Sequence, residues 1–178
     1  NGMYLLQSAK KPKKQHVQLM GSGTILREVM TAAEMLEKDY GVTSDIWSVT
    51  SFTELRREGL ALEREARFKP NKKQPPSYVE QQLSGQKGPI IAATDYMRSY
   101  AEQIRPFVKA PYVTLGTDGY GRSDTRKQLR HFFEVDAKFI VLASLKALVD
   151  TGELSKDKVA DAIKRYGINP DKLNPATH

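Results

Sequence analysis

The spacing of apolar residues changes repeatedly along the chain, and each change marks an element. Met3–Ser8 and His16–Met20 are short apolar runs that predict two strands flanking a polar loop, in the manner of a hairpin. Gly21-Ser22-Gly23 interrupts the extended pattern, and from Thr24 the period lengthens to three and four residues. Ile25, Leu26, Val29, Ala33, Leu36 and Tyr40 then share one helical face, with Glu28, Glu34, Glu37 and Lys38 between them. Gly41 follows as a left-handed helix stop. Ser44–Thr50, containing Ile46, Trp47 and Val49, predicts the next strand.

Phe52–Phe68 reads as a charged helix with Leu55, Leu62 and Ala66 on one side. After a proline-rich break, Tyr78–Leu83 predicts a short helix and Pro89–Thr94 a compact strand. Asp95 is placed to cap a helix in which Met97, Tyr100, Ala101 and Ile104 share a face, and Pro106 ends it. Tyr112–Leu115 predicts another strand, followed by the polar, glycine-rich loop Gly116–Asp124. Ala137–Val149 fits two readings. Phe139-Ile140-Val141-Leu142 favours a strand, but the length of the run, Asp136 before it and Gly152 after it select a buried helix. Ser155 caps a last helix over Lys156–Tyr166, closed by Gly167, and the Asn169–His178 tail is expected to be extended. Strands alternating with helices specify an α/β domain with a mostly parallel sheet, to which an N-terminal antiparallel strand can be added.

Composition narrows the class. A length of 178 residues suits one domain, and 39% apolar with 28% charged residues describes an ordered globular chain. Cysteine is absent, which excludes disulfides, zinc–thiolate clusters and cysteine nucleophiles. No apolar run approaches the roughly 20 residues of a membrane span. The start, Asn1-Gly2-Met3, carries no secretory pattern, so a cytoplasmic piece of a longer chain is expected.

The net charge of +7 is unevenly placed. Lys10, Lys11, Lys13 and Lys14 form one acid-free cluster around Pro12, and Arg67, Lys69, Lys72 and Lys73 form a second. Without these eight, 20 basic residues face 21 acidic ones, so the basicity belongs to two loop segments on a nearly neutral body. Only Phe68 interleaves with either cluster. Single-strand nucleic-acid surfaces usually place aromatics among their charges, so solvated loops or a seam against an acidic partner are the preferred reading.

Three candidates for chemistry remain. Gly21-Ser22-Gly23-Thr24 lies at a strand-to-helix turn, where free N–H groups and the helix dipole favour an anion. It lacks the third glycine of a dinucleotide fingerprint and the Gly-Lys-Ser/Thr ending of a P-loop, and a compact connection is the preferred reading. Gly116–Asp124 follows a strand at the edge where open α/β sheets bind ligands, and Arg122 can grip a carboxylate or phosphate. Alternatively Asp118 and Asp124 are turn and cap residues, with Arg122 as their internal ion-pair partner. His16, His131 and His178 show no metal-ligand spacing. An autonomous phosphate- or nucleotide-binding module and a basic nucleic-acid module are the alternatives read from residues alone.

Several segments together resemble one family: LMGSGTILREV (19–29), YGVTSDIWSVTSFTELRREG (40–59), TDYMRSYAEQIRPFV (94–108), LGTDGYGRSDTR (115–126) and LRHFFEVDAKFIVLASLKAL (129–148). They are similar to the C-terminal domain of the homodimeric bacterial pyruvate dehydrogenases, the thiamine-dependent decarboxylating components. The resemblance runs nearly the whole chain. It implies a transketolase C-terminal-type fold, a three-layer α/β domain with a mostly parallel five-stranded sheet and helices on both faces. It also implies a full enzyme that decarboxylates pyruvate on thiamine diphosphate with magnesium and acetylates the lipoyl group of the dihydrolipoyl acetyltransferase component. The family's cofactor motif, Gly-Asp-Gly followed by Asn-Asn, is not matched: Thr117 precedes Asp118-Gly119, and no Asn pair exists. The activating carboxylate and substrate histidines belong to the preceding N-terminal and middle domains. The resemblance therefore carries no catalytic, cofactor-binding or metal residue onto this chain, and the piece alone is expected to be inactive. Asp118, Gly119, Gly121, Arg122, Ser123 and Asp124 become a docking loop toward those domains or the homodimer partner.

Overall fold

A computed structural model describes residues 1–178. Its sheet has five strands: β1 (Met3–Gln7), β2 (His16–Ser22), β3 (Thr43–Val49), β4 (Ile90–Ala93) and β5 (Tyr112–Leu115), in the order β1-β3-β2-β4-β5. Every pairing is parallel except that of β1 with β3. The helices are α1 (Leu26–Tyr40), α2 (Phe52–Phe68), α3 (Tyr78–Leu83), α4 (Arg98–Glu102), α5 (Arg126–Phe132), α6 (Ala137–Asp150) and α7 (Lys156–Arg165). None is long and apolar enough to cross a membrane.

Side-chain alternation on the strands builds two cores. Val17, Leu19, Ile46 and Ile91 face α1, α6 and α7, while Met20, Trp47, Val49, Ile90 and Ala92 face α2, α3 and α4. Sheet and two helical layers therefore make the expected three-layer sandwich. α6 buries residues on almost every side, among them Phe139, Ile140, Val141, Leu145 and Leu148, which explains why its sequence shows no one-sided period. Asp136 caps it, accepting from Phe139 N at 3.1 Å. Gly41 ends α1 at φ +64°.

Four expectations are corrected. β1 and β2 do not form a hairpin. β3 lies between them, because β2 is taken up by parallel partners on both edges, and the basic segment crosses the start of β3. Gly21 and Ser22 do not break β2; they pair with Ser48 and Val49. A Cβ on Gly21 would lie 2.8 Å from Leu26 Cα, so that glycine lets α1 fold closely over the strand end. Asp95 does not cap α4: the Arg98 N–H donates to Asp118 Oδ1 at 2.9 Å, and Met97 and Tyr100 are exposed while Ala101 and Ile104 are buried. The tail is turned rather than extended. Asn169 and Asn174 accept from the N–H groups two residues on, and Pro175 is buried.

Candidate functional site

The strand order reverses between β2 and β4, and open α/β sheets present their ligand crevice at the carboxyl ends of such a switch point. Both glycine-rich candidates meet there. Thr24, Asp95, Thr117, Gly119, Tyr120 and Arg122 line an open cleft of about 770 Å3, continued by Arg126 and Arg130 of α5. Thr24 Oγ1 donates to Asp95 Oδ2 at 3.2 Å across the crevice. The Gly21–Thr24 turn thus faces a carboxylate of the chain itself, and Glu28 occupies the first turn of α1. Glu28 is also engaged, accepting from Arg130 Nη1 at 3.0 Å and from Ala137 N at 2.9 Å.

The Gly116–Asp124 loop is locked at its base and open at its tip. Thr117 N donates to Tyr96 O at 2.9 Å and Thr117 Oγ1 to Asp95 O at 2.6 Å. A Cβ on Gly116 would lie 2.6 Å from Arg98 N, and one on Gly119 would lie 1.8 Å from Pro175 O. Gly119 also holds φ +109°, a conformation that L side chains rarely adopt. A Cβ on Gly121, in contrast, would meet nothing within 4 Å, and Ser123 is exposed. Arg122 does not pair with Asp118 or Asp124. Its guanidinium lies 3.9 Å from the Phe132 ring centroid, a cation–π contact. Asp124 accepts from Thr125 N, and Thr125 itself caps α5. Tyr120 on this loop is 74% exposed and Tyr96 and Met97 beside it are 59% and 55% exposed, a concentration of apolar surface on one edge.

This edge offers arginine, tyrosine and backbone rather than an activated nucleophile and base. The residues do not fit thiamine diphosphate with its metal ion. Asp118 is spent on the Arg98 N–H, the Gly119 Cα faces the tail, and no three His, Asp or Glu side chains could hold a metal together. Beside the edge, Glu102 lies below the ordinary carboxyl range because Arg105 hydrogen-bonds it, an effect partly offset by burial and reinforced by Thr114.

At the opposite, amino edge lies a network that sequence reasoning missed. His16 and Gln18 of β2 sit in register with Thr43 and Asp45 of β3, and all four are buried. Asp45 Oδ2 accepts from His16 Nε2 at 3.0 Å and Gln18 Nε2 at 3.1 Å, while Oδ1 accepts from Ser8 Oγ at 3.0 Å and Ala9 N at 2.8 Å. His16 Nδ1 lies 2.8 Å from Thr43 Oγ1, and Trp47 Nε1 donates to Gln18 Oε1 at 2.7 Å. Burial raises the Asp45 carboxyl, but the Ala9 N–H and the Gln18, His16 and Ser8 side chains outweigh it and hold the pKa below the ordinary value. In sequence, His16 and Gln18 alternate with Val17 and Leu19 like the solvent face of a strand. The signal available was that Met20 and Trp47, on that same face, are too large and apolar for solvent.

The architecture defines an α/β domain of the transketolase C-terminal type. The chain belongs to the transketolase-like TK C-terminal domain family, whose profile matches residues 2–136. It is 58% identical over 175 residues to the pyruvate dehydrogenase E1 component of Pseudomonas aeruginosa, covering 98% of this chain and 20% of that protein. With the Escherichia coli K12 protein of the same name it shares 50% over 175 residues, covering 98% and 19%. The chain thus spans about a fifth of the length of these relatives. Among solved structures it is similar to transketolase from Leishmania mexicana, with a TM-score of 0.56 and 17% identity over 84% of this chain and 18% of that one. Campylobacter jejuni transketolase gives 0.55 and 22%, over 82% and 18%. These structures share the fold.

Proposed function

We propose that this chain is the C-terminal domain of a pyruvate dehydrogenase decarboxylating component. The observation that carries the reading is the 58% identity extending over 98% of the chain. In the full chain, pyruvate is decarboxylated on thiamine diphosphate with magnesium, both held by the preceding domains, and the acetyl group passes to the lipoyl arm of the dihydrolipoyl acetyltransferase. The setting is a cytoplasmic homodimer. This domain contributes surface, not chemistry. Asp118, Gly119, Gly121, Arg122, Ser123 and Asp124 dock against the preceding domains or the dimer partner, and the exposed Tyr96, Met97 and Tyr120 beside them support that role.

The test uses the full chain supplied with thiamine diphosphate and magnesium, following pyruvate-dependent reduction of an artificial electron acceptor. Turnover is expected, and its absence with correctly folded protein refutes the assigned reaction. Arg122→Ala combined with Tyr120→Ala is expected to weaken dimerisation or lower turnover. Unchanged dimer affinity and turnover together refute the docking role while leaving the reaction assignment standing.

A further inference from the structure

The Lys10–Lys14 segment is a polybasic loop held in a fixed shape. Ser8 and Ala9 are tied to the Asp45 carboxylate, Lys13 N donates to Thr43 Oγ1 at 3.0 Å, and Gln15 O accepts from Thr43 N at 3.2 Å. Gln15 Nε2 adds a contact to Glu153 O at 3.3 Å. Gln18, bound to the same carboxylate, donates to Lys87 O at 3.0 Å and so brings the connection before β4 to the same edge. Asp45 and Thr43, which hold the segment, are buried, yet Lys10, Lys11, Lys13 and Lys14 are all exposed. None of the four pairs with an acid; the lysine ion pairs of the chain fall at Lys69, Lys72, Lys109, Lys146 and Lys172. A merely solvated loop requires no such anchoring, because free chain ends and loop tips lose nothing by moving.

We infer that this loop is a docking surface for an acidic, extended polypeptide segment of a partner protein, received at the amino edge of the sheet. Its chemistry distinguishes that occupant from phosphate ligands. Two of the loop's backbone donors, Ala9 N and Lys13 N, already serve Asp45 and Thr43, so they are not free to build a phosphate cradle. No aromatic residue lies between Ser8 and Gln15 to stack on a base. The exposed tyrosines Tyr96 and Tyr120 belong to the opposite edge. Four exposed lysines with no acid of their own are complementary in charge to a run of carboxylates, and such pairing gives fast, salt-sensitive association. The inference stands apart from the reaction assigned above, since it needs only the loop and its anchors.

The experiment measures binding of a fluorescent twelve-residue Glu/Asp-rich peptide to the full chain by anisotropy across a salt series. A single-stranded oligonucleotide and anionic lipid vesicles are measured in parallel. Replacing Lys10, Lys11, Lys13 and Lys14 together by Gln is expected to weaken peptide binding by about tenfold or more at low salt and to flatten its salt dependence. A control that removes the same charge elsewhere, with Arg57, Lys127, Lys158 and Lys164 changed to Gln, should leave binding nearly unchanged. Both sets are exposed, so folding is preserved, and pyruvate turnover reports it independently. Equal losses in the two variants would overturn the inference, as would no measurable peptide binding. Tighter binding of the oligonucleotide or vesicles through these same lysines overturns it in favour of a phosphate ligand.

Discussion

Asp45→Ala is the most demanding test of the amino-edge network. The carboxylate accepts four hydrogen bonds, from Ser8 Oγ, Ala9 N, His16 Nε2 and Gln18 Nε2. Ser8 and Ala9 lie toward solvent and can rehydrate once the carboxylate is gone. His16 and Gln18 are 2% and 1% exposed and cannot. Each buried donor left unpaired costs about 1–3 kcal/mol, so two of them with the freed loop place the loss at about 3–5 kcal/mol. That is a large share of the roughly 5–15 kcal/mol that keeps a domain folded.

The assay is urea unfolding followed by tryptophan fluorescence. Trp47 is the chain's single tryptophan, and its indole N–H is bound to Gln18, one step from the mutated carboxylate. The variant should therefore show both a lower midpoint and a shifted native emission. Acid acts on the same group. Its folded pKa lies below the unfolded one, so its contribution is fully present above the ordinary Asp value of about 3.9. The contribution is lost as pH falls through the folded value, and Asp45→Ala should flatten that part of the stability profile. A loss below about 1 kcal/mol with unchanged Trp47 emission would refute the claim that this carboxylate organises the edge.

Two further outcomes can be checked on the same chain. Gly119→Ala places a methyl group 1.8 Å from Pro175 O at φ +109°, so limited proteolysis should cut the Asn169–His178 tail faster, with a stability loss of about 1–3 kcal/mol; equal cleavage rates would contradict the packing. Tyr40 is raised to about 12 by burial and by the hydrogen bond to Asp161, so ultraviolet titration should show a tyrosine ionising near that pH that Tyr40→Phe removes. Its contribution to stability is present below the ordinary value near 10 and is lost as pH rises toward 12.

What the sequence made legible was local. The bounds of α2, α3 and β5 coincide with those expected from periodicity because their signals are adjacent in the chain. Ser51 accepts from Glu54 N, Ser77 and Glu80 form a reciprocal capping box, and Pro111 precedes β5. Apart from the tail, where the Asn169 and Asn174 turns are local, the failures arose at a distance. Asp118 supplies an acceptor to α4 from twenty residues away, where Asp95 stood closer in sequence. Arg122 found an aromatic ring rather than the two acids beside it. The cleft was legible only as two separate glycine-rich turns, since nothing local says that β2 and β4 are neighbours.

The hairpin error and the missed network have one cause, and it bears on what the amino edge does. β1 and β2 are joined by a segment that spans the start of β3, and the side chains of Thr43 and Asp45 on β3 are what that segment rests on. Well-packed apolar residues at His16, Gln18, Thr43 and Asp45 would hold β2 against β3 at least as well, because buried charge and polarity rarely outperform a hydrophobic isostere. They could not hold Ser8, Ala9 and Lys13. Strand cohesion alone therefore does not account for the polar set. Gln18 also satisfies the Trp47 indole and ties down Lys87 O, but Thr43 and Asp45 provide what no apolar pair could, a fixed path for the lysine loop, so part of the purpose of the network lies outside the core that buries it.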